Sequence, residues 1–280
     1  MMGSYRDIEG ELRGKTNVRI LILDTGNIQF LYQYSDVLPQ SILFQPYDIV
    51  LIPGWVHAEY AHHTGKLQYV SAIPTALYYI DEVEDYLPMI GYQDKRLMEL
   101  FRVASPFSES QRFFNQYRNV PAEDLPDDWI DLYYENGFLT RQTETLITKK
   151  NAGEVSILTL AFLLLSHYRN EISNISIATS DFCVISLKNR LLREANSPNL
   201  ALSVPQTPPI SYLSKDVTLF HAVKTGLTLP DSIARMRQNP KSSIYVEHFR
   251  DGSSTLHEVV VETPTFIEMC RKPHKYTIIF

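Results

Sequence analysis

Val18-Arg19-Ile20-Leu21-Ile22-Leu23-Asp24-Thr25-Gly26-Asn27 is the stretch from which the fold can be read. Five apolar residues, broken only by Arg19, run straight into an aspartate and a Thr-Gly-Asn turn. A near-continuous apolar run of this kind marks a strand covered on both faces in a parallel sheet. Ligands of open α/β sheets bind just beyond the carboxyl ends of the strands, so Asp24 stands where chemistry is usually done. The plainer role for the same residue is to cap the helix that follows.

Working outward, Ile28 to Leu38 has helical spacing and stops at Pro39, and Asp48 to Pro53 is a second buried strand. A short helix over Trp55 to His63 completes a strand-helix-strand-helix opening, the pattern of a parallel sheet covered by helices. Tyr69 to Ile80 is read as extended despite Pro74. Further on, Val155 to Leu165 is an apolar helix with little wet surface, and Ile175 to Asp181 is a third strand closing on an aspartate. A helix carrying Lys188, Arg190 and Arg193 follows. Leu200 to Val204 reads as another strand, and helices are expected over Leu213 to Thr225 and Leu229 to Arg237.

The fold class is therefore α/β, a three-layer arrangement around a parallel sheet. Residues 1–17 are an N-terminal tail and 18–240 the main domain, interrupted at about 81–140 by a helical insertion. Residues 241–280 are a β-rich C-terminal extension, read as a meander: Ser243 to Phe249, an Asp251-Gly252 turn, Thr255 to Glu262, and Lys275 to Phe280.

The 280 residues are 44% apolar, enough to fill a core. No apolar run approaches the roughly 18 residues that span a bilayer. Met1 to Lys15 carries charges of both signs and no apolar stretch, unlike a signal peptide, so a cytoplasmic protein with no membrane partner is expected. Cys183 and Cys270 are too few for a disulfide framework or a four-cysteine zinc site. The net charge of −6 hides an asymmetry: Asp81 to Glu135 holds 13 Asp and Glu against 5 Lys and Arg. The acidity belongs to the insertion, and the rest of the chain is slightly basic.

Four acidic residues stand out by position: Asp24 after the first strand, Glu59 in the helix after the second, Glu154 opening the apolar helix, and Asp181 after the third. Right-handed parallel crossovers bring the carboxyl ends of neighbouring strands to one edge, where all four can converge. Four carboxylates cannot stay ionised together without a cation, and hard divalent ions such as Mg²⁺ or Mn²⁺ take oxygen ligands. Such ions activate water and stabilise the leaving oxygen of a phosphodiester, which is nuclease chemistry.

The blocks Ile22 to Gly26, Val50 to Glu59, Asn151 to Glu154 and Ile177 to Asp181 together resemble the PIN-like domains, a family of α/β metal-dependent nucleases. Leu200 to Pro230 is similar to the closing strand and paired helices of one bacterial branch. The resemblance spans about Val18 to Asn239 outside the insertion. It implies an endoribonuclease whose Asp24, Glu59, Glu154 and Asp181 hold Mg²⁺ or Mn²⁺, with RNA rather than DNA as substrate. A role as a toxin or defence effector, controlled by an inhibitory or activating protein partner, is implied on the same ground; homo-oligomerisation stays open. The chain departs from many members in having Gly26 two residues after the first aspartate, and in lacking a further acid soon after Asp181.

Lys149, Lys150, Lys188, Arg190 and Arg193 flank the acidic blocks in sequence and are candidates for holding phosphates, against the simpler role of a solvated basic face. The aromatics Phe113, Phe114, Tyr117, Trp129, Tyr133 and Tyr134 could stack on bases, yet their acidic surroundings favour packing, partner docking or covering the site. His57-Ala58-Glu59 lacks the Pro-Cys-x-x-Cys partner of a zinc deaminase. Gly26 stands where an aspartyl-phosphate phosphatase has its second aspartate. The alternative from another class is a non-catalytic PIN-like scaffold used for binding or regulation.

Overall fold

The computed structural model describes residues 5–142 and 147–280. Its centre is a five-stranded sheet of β1 (Val18–Leu23), β2 (Ile49–Pro53), β3 (Ala76–Ile80), β6 (Ile172–Ala178) and β7 (Ile210–Tyr212). The order is β3-β2-β1-β6-β7, and every pairing is parallel. The chain builds outward from β1 to β3, then crosses back to lay β6 on β1's other side. The switch point of the sheet therefore lies between β1 and β6, the position where such sheets bind ligands.

Between the main strands sits a short antiparallel hairpin, β4 (Thr140–Gln142) with β5 (Ile147–Lys149). Beyond the parallel sheet, β8 (Lys241–His248), β9 (Ser254–Val261) and β10 (Tyr276–Ile278) form a second, antiparallel sheet.

Helices cover both faces, giving three layers. Thr25–Gln33 packs with Thr64–Ser71, while Ala152–His167 packs with Cys183–Ala195 and Asp94–Ala104. Residues 155–165 are buried all round because Ala152–His167 is enclosed between the sheet and the helices of the insertion. Among the described residues, no helix is long and apolar enough to cross a membrane.

The insertion is helical as expected, with Tyr86–Met89, Asp94–Ala104, Ser108–Gln116 and Trp129–Asn136. Its aromatics are core rather than surface. Phe101 stacks on Trp55 at 5.3 Å, and Tyr133 lies 4.5 Å from Phe114, while Phe113 and Trp129 are buried as well. Its acids Glu123, Asp124, Asp127, Asp128 and Asp131 face outward. The N-terminal segment also contributes: in the helix Tyr5–Leu12, Ile8 and Leu12 are buried, and the Tyr5 amide donates to Asp85 at 2.7 Å.

Three expected elements differ. Tyr69 and Val70 belong to the helix Thr64–Ser71, so only the end of the Tyr69 to Ile80 stretch is strand. Leu200 to Val204 is not a strand. Ala201 adopts φ 47°, and the Arg96 side chain takes the carbonyls of Leu200 and Ala201, so alternate residues Leu200, Leu202 and Val204 are buried without a ladder. The fifth strand comes later, at Ile210. The extension is not a simple meander either. Thr263-Pro264 opens a helix, Thr263–Cys270, and β10 returns to pair with β8 rather than β9.

One buried ion pair fastens the extension to the core. Arg237 is 1% exposed and donates from Nε to Asp216 at 2.9 Å, from Nη2 to the Val261 carbonyl at 2.9 Å and from Nη1 to Thr263 at 3.3 Å. Ser243 donates to the same Asp216 at 2.9 Å, and the guanidinium lies 4.7 Å from the Phe266 ring centre. Removing one member leaves a buried charge without a partner, which costs about 3–5 kcal/mol. Arg237→Ala should therefore lower the unfolding free energy by about 3–5 kcal/mol, read as a lower urea midpoint at an unchanged slope, whereas a surface change such as Arg13→Ala should barely move it.

Candidate metal centre at the sheet's switch point

Each of the four acids reaches the carboxyl edge from a separate element. Asp24 directly follows β1 and precedes the helix Thr25–Gln33, yet its carboxylate makes no capping hydrogen bond. It accepts instead from Thr179 Oγ1 at 3.2 Å, from the end of β6. Glu59 lies on the helix Gly54–Tyr60 after β2, with the Thr25 side chain beside it. Glu154 is in the first turn of Ala152–His167. Asp181 ends the loop after β6, and its Oδ1 accepts from the Cys183 amide at 2.8 Å, so it does hold the start of the next helix.

The side chains form one electrostatic group. A Cβ placed on Gly153 would stand 3.5 Å from Glu59 Oε1 and 4.0 Å from Asp24 Oδ1, so both carboxylates lie close to that glycine. Burial, then the charge of Glu59, pushes Asp24 up to about 7. Glu59 is likewise pushed to about 7 by burial and by Glu154. Glu154 reaches about 7 through burial and repulsion from Asp24 and Asp181. Negative charge is concentrated in a half-buried place and only partly answered. Among the described residues, no group of three or more His, Cys, Asp or Glu is placed to hold a metal ion. The donor set nevertheless fits a hard divalent cation: it is all carboxylate oxygen, and a cation would relieve the repulsion that raises all three pKa values.

Positive charge reaches the site from places the sequence did not mark. Arg141 on β4 lowers the pKa of both Glu59 and Glu154, and Lys66 does so for Glu59. Lys215, at the start of the helix Lys215–Lys224, acts on Asp24 and lies 5.6 Å from the Phe30 ring centre. None belongs to a recognisable motif; a lone Arg in a hairpin carries no signal of its own.

The expected phosphate-holding residues fare differently. Lys149 is 6% exposed, with Nζ donating to the Glu135 carbonyl at 2.7 Å and to Thr140 at 3.1 Å, so it secures the hairpin and holds no ligand. Lys150 is exposed, and its charge adds a small part to the lowering of the Glu109 pKa, which is set first by hydrogen bonds from its own backbone and Ser108. Lys188 is half-buried with Nζ 5.7 Å from the Tyr212 ring centre. Arg190 and Arg193 lie in the latter half of Cys183–Ala195. At about 1.5 Å per residue that half runs back from the carboxyl edge, away from the acids.

Comparison with known proteins finds no match, neither a family model nor a curated sequence. The site is read on its own geometry.

A fifth acid, Glu82, supports the site from below. It is 1% exposed and accepts from the Trp55 amide at 3.0 Å and from the Ser156 hydroxyl, whose oxygen lies 2.7 Å from Tyr86. It thereby ties the start of the Glu59 helix to the Glu154 helix. A Cβ at Gly54 would fall 2.5 Å from Glu82 Oε2, so a larger residue there would push that carboxylate out of its place. Burial raises the Glu82 carboxyl from 4.5 to about 8. Across that window the folded protein keeps a proton that the unfolded chain has released, so its contribution to stability falls as pH rises. Asp24, Glu59 and Glu154, also raised, add to the decline, so denaturation at a series of pH values should show a fall in stability from which Glu82→Gln removes on the order of 1 kcal/mol per pH unit.

Proposed function

We propose that this chain is a metal-dependent nuclease of the PIN-like kind, hydrolysing phosphodiester bonds of RNA. The observation that supports the reading is the mutual electrostatic influence of Asp24, Glu59, Glu154 and Asp181, carried on four elements at the carboxyl edge of a parallel sheet. A fold does not need to gather like charges in a half-buried place for stability, and burial followed by mutual repulsion raises the pKa values of Asp24, Glu59 and Glu154 at a cost. The four residues would hold Mg²⁺ or Mn²⁺, which when bound supplies water activation and charge stabilisation at the leaving oxygen. Thr179 and Thr25 orient Asp24 and Glu59, while Arg141, Lys66 and Lys215 provide positive charge around the rim for an anionic strand. RNA as substrate, and service as a toxin or defence effector under a partner's control, rest on the resemblance of the four sequence blocks.

The non-catalytic scaffold remains a second reading because, among the described residues, no group of three or more His, Cys, Asp or Glu is placed to hold a metal ion. One set of measurements separates the two. Labelled single-stranded RNA and DNA are incubated with the purified protein in Mn²⁺ or EDTA, alongside Asp24→Asn and Asp181→Asn. Cleavage should require the metal and fall by more than about a hundredfold in each variant, since even outer partners of a metal cost roughly 10–100-fold. Mn²⁺ at about a hundred times its Kd should also stabilise the wild type by about 2.7 kcal/mol, and Asp24→Asn should lose that gain. No cleavage together with no Mn²⁺ stabilisation would establish the scaffold.

A further inference from the structure

A cleft beside the acidic centre is lined by Ser180, Phe182, Ser214, Lys215, Lys241 and Phe280, with Ser242 and Asp216 completing it. It shares a wall with the centre. In the loop after β6, Thr179 donates to Asp24, while the next residue, Ser180, donates to Asn27 Oδ1 at 3.1 Å and accepts from the Lys215 amide at 3.3 Å. The opposite wall comes from the C-terminal extension. Lys241 and Ser242 open β8, and Phe280 is held by reciprocal backbone bonds with Ile244 at 3.0 and 3.1 Å. The Phe280 ring packs on Phe182 at 4.7 Å and on Tyr212 at 5.4 Å.

The charge in this cleft is positive, answered only in part, for Lys215, by Asp24 of the neighbouring centre. Neither Lys215 nor Lys241 has an ion-pair partner within 4.0 Å among the described residues. The one acid of the lining, Asp216, is consumed by Arg237 and Ser243. The two lysines repel each other, and burial together with Lys241 lowers the pKa of Lys215. Two unpaired ammonium groups with neighbouring hydroxyls, beside a cluster of carboxylates, suit an anion whose reacting part lies at the carboxylates.

We propose that this cleft is the seat of a backbone phosphate of the single-stranded RNA substrate, adjacent to the scissile one, and that the C-terminal extension supplies half of it through Lys241. The proposal rests on the nuclease reading and gives the extension a task in it: it completes the substrate path. Phosphate contacts of this sort position a strand without reading its bases.

The test is the anisotropy of a fluorescein-labelled single-stranded RNA in Ca²⁺ over a range of salt, with cleavage in Mn²⁺ followed in parallel. Lys215→Gln and Lys241→Gln should each weaken binding several-fold and flatten the dependence of log Kd on log salt by about 0.7. They should act equally on RNAs of different sequence and raise KM more than they lower kcat. Lys241→Arg should retain binding, which separates loss of charge from loss of fold, and Lys272→Gln, elsewhere on the extension, should change nothing. Wild-type cleavage and binding with unaltered affinity and salt slope in both lysine variants would overturn the proposal while leaving the nuclease standing. An equal loss in Lys272→Gln would overturn it as general charge attraction. If the wild type neither binds nor cleaves RNA or DNA, the nuclease reading falls and this proposal with it.

Discussion

Everything in this molecule depends on β1 having a parallel neighbour on each side. A parallel pair cannot be closed by a tight turn, so each crossover must carry the chain back through a helix and re-enter at the same end. With β2 on one flank and β6 on the other, the loops after all three strands open on one edge. Asp24 and Asp181 arrive there on those loops. Glu59 arrives on the helix that leaves β2, and Glu154 on the helix that leads into β6. The backbone ladder thus forces together charges that would separate if the side chains alone decided, and the surrounding hydroxyls, amides and cations answer that conflict only in part.

The insertion has its place in the same arrangement. Its local excess of acid is mostly a wet outer surface, while its aromatics close around Trp55, one turn before Glu59 on the same helix. Glu82, from the start of the insertion, takes the Trp55 amide. The segment that departs most from a minimal α/β domain therefore grips the helix that presents one of the four acids.

How much of this could be read from the chain follows from burial. β1, β2 and β6 are covered on both faces, so their residues are almost all apolar and the strands are plain in the sequence. β3 and β7 are sheet edges built from half-buried Tyr, Leu and Ser, and Leu200 to Val204 looked more like a strand than the true Ile210–Tyr212. The acids were legible because each sits a fixed short distance from a buried run. The cations were not. Lys149 and Lys150 are adjacent to the acidic block in sequence, yet one is spent on Glu135 and the other adds a small charge effect at Glu109. Arg141, Lys66 and Lys215 come from a hairpin and two helices whose approach only tertiary packing decides.

The Arg237 rivet also orders events in time. Asp216 lies in a helix of the main domain, but its charge is satisfied by an arginine that in turn needs Val261 and Thr263. Chains emerge from the ribosome amino end first, at about 5–20 residues per second. Until Arg237, Val261 and Thr263 have been made, the helix carrying Asp216 has a buried carboxylate with no companion. The main sheet can assemble before that stretch emerges, but its flank beside the acidic centre is completed only afterwards. A nascent chain of this protein thus lacks a finished cleft until residues well beyond the main sheet have left the ribosome.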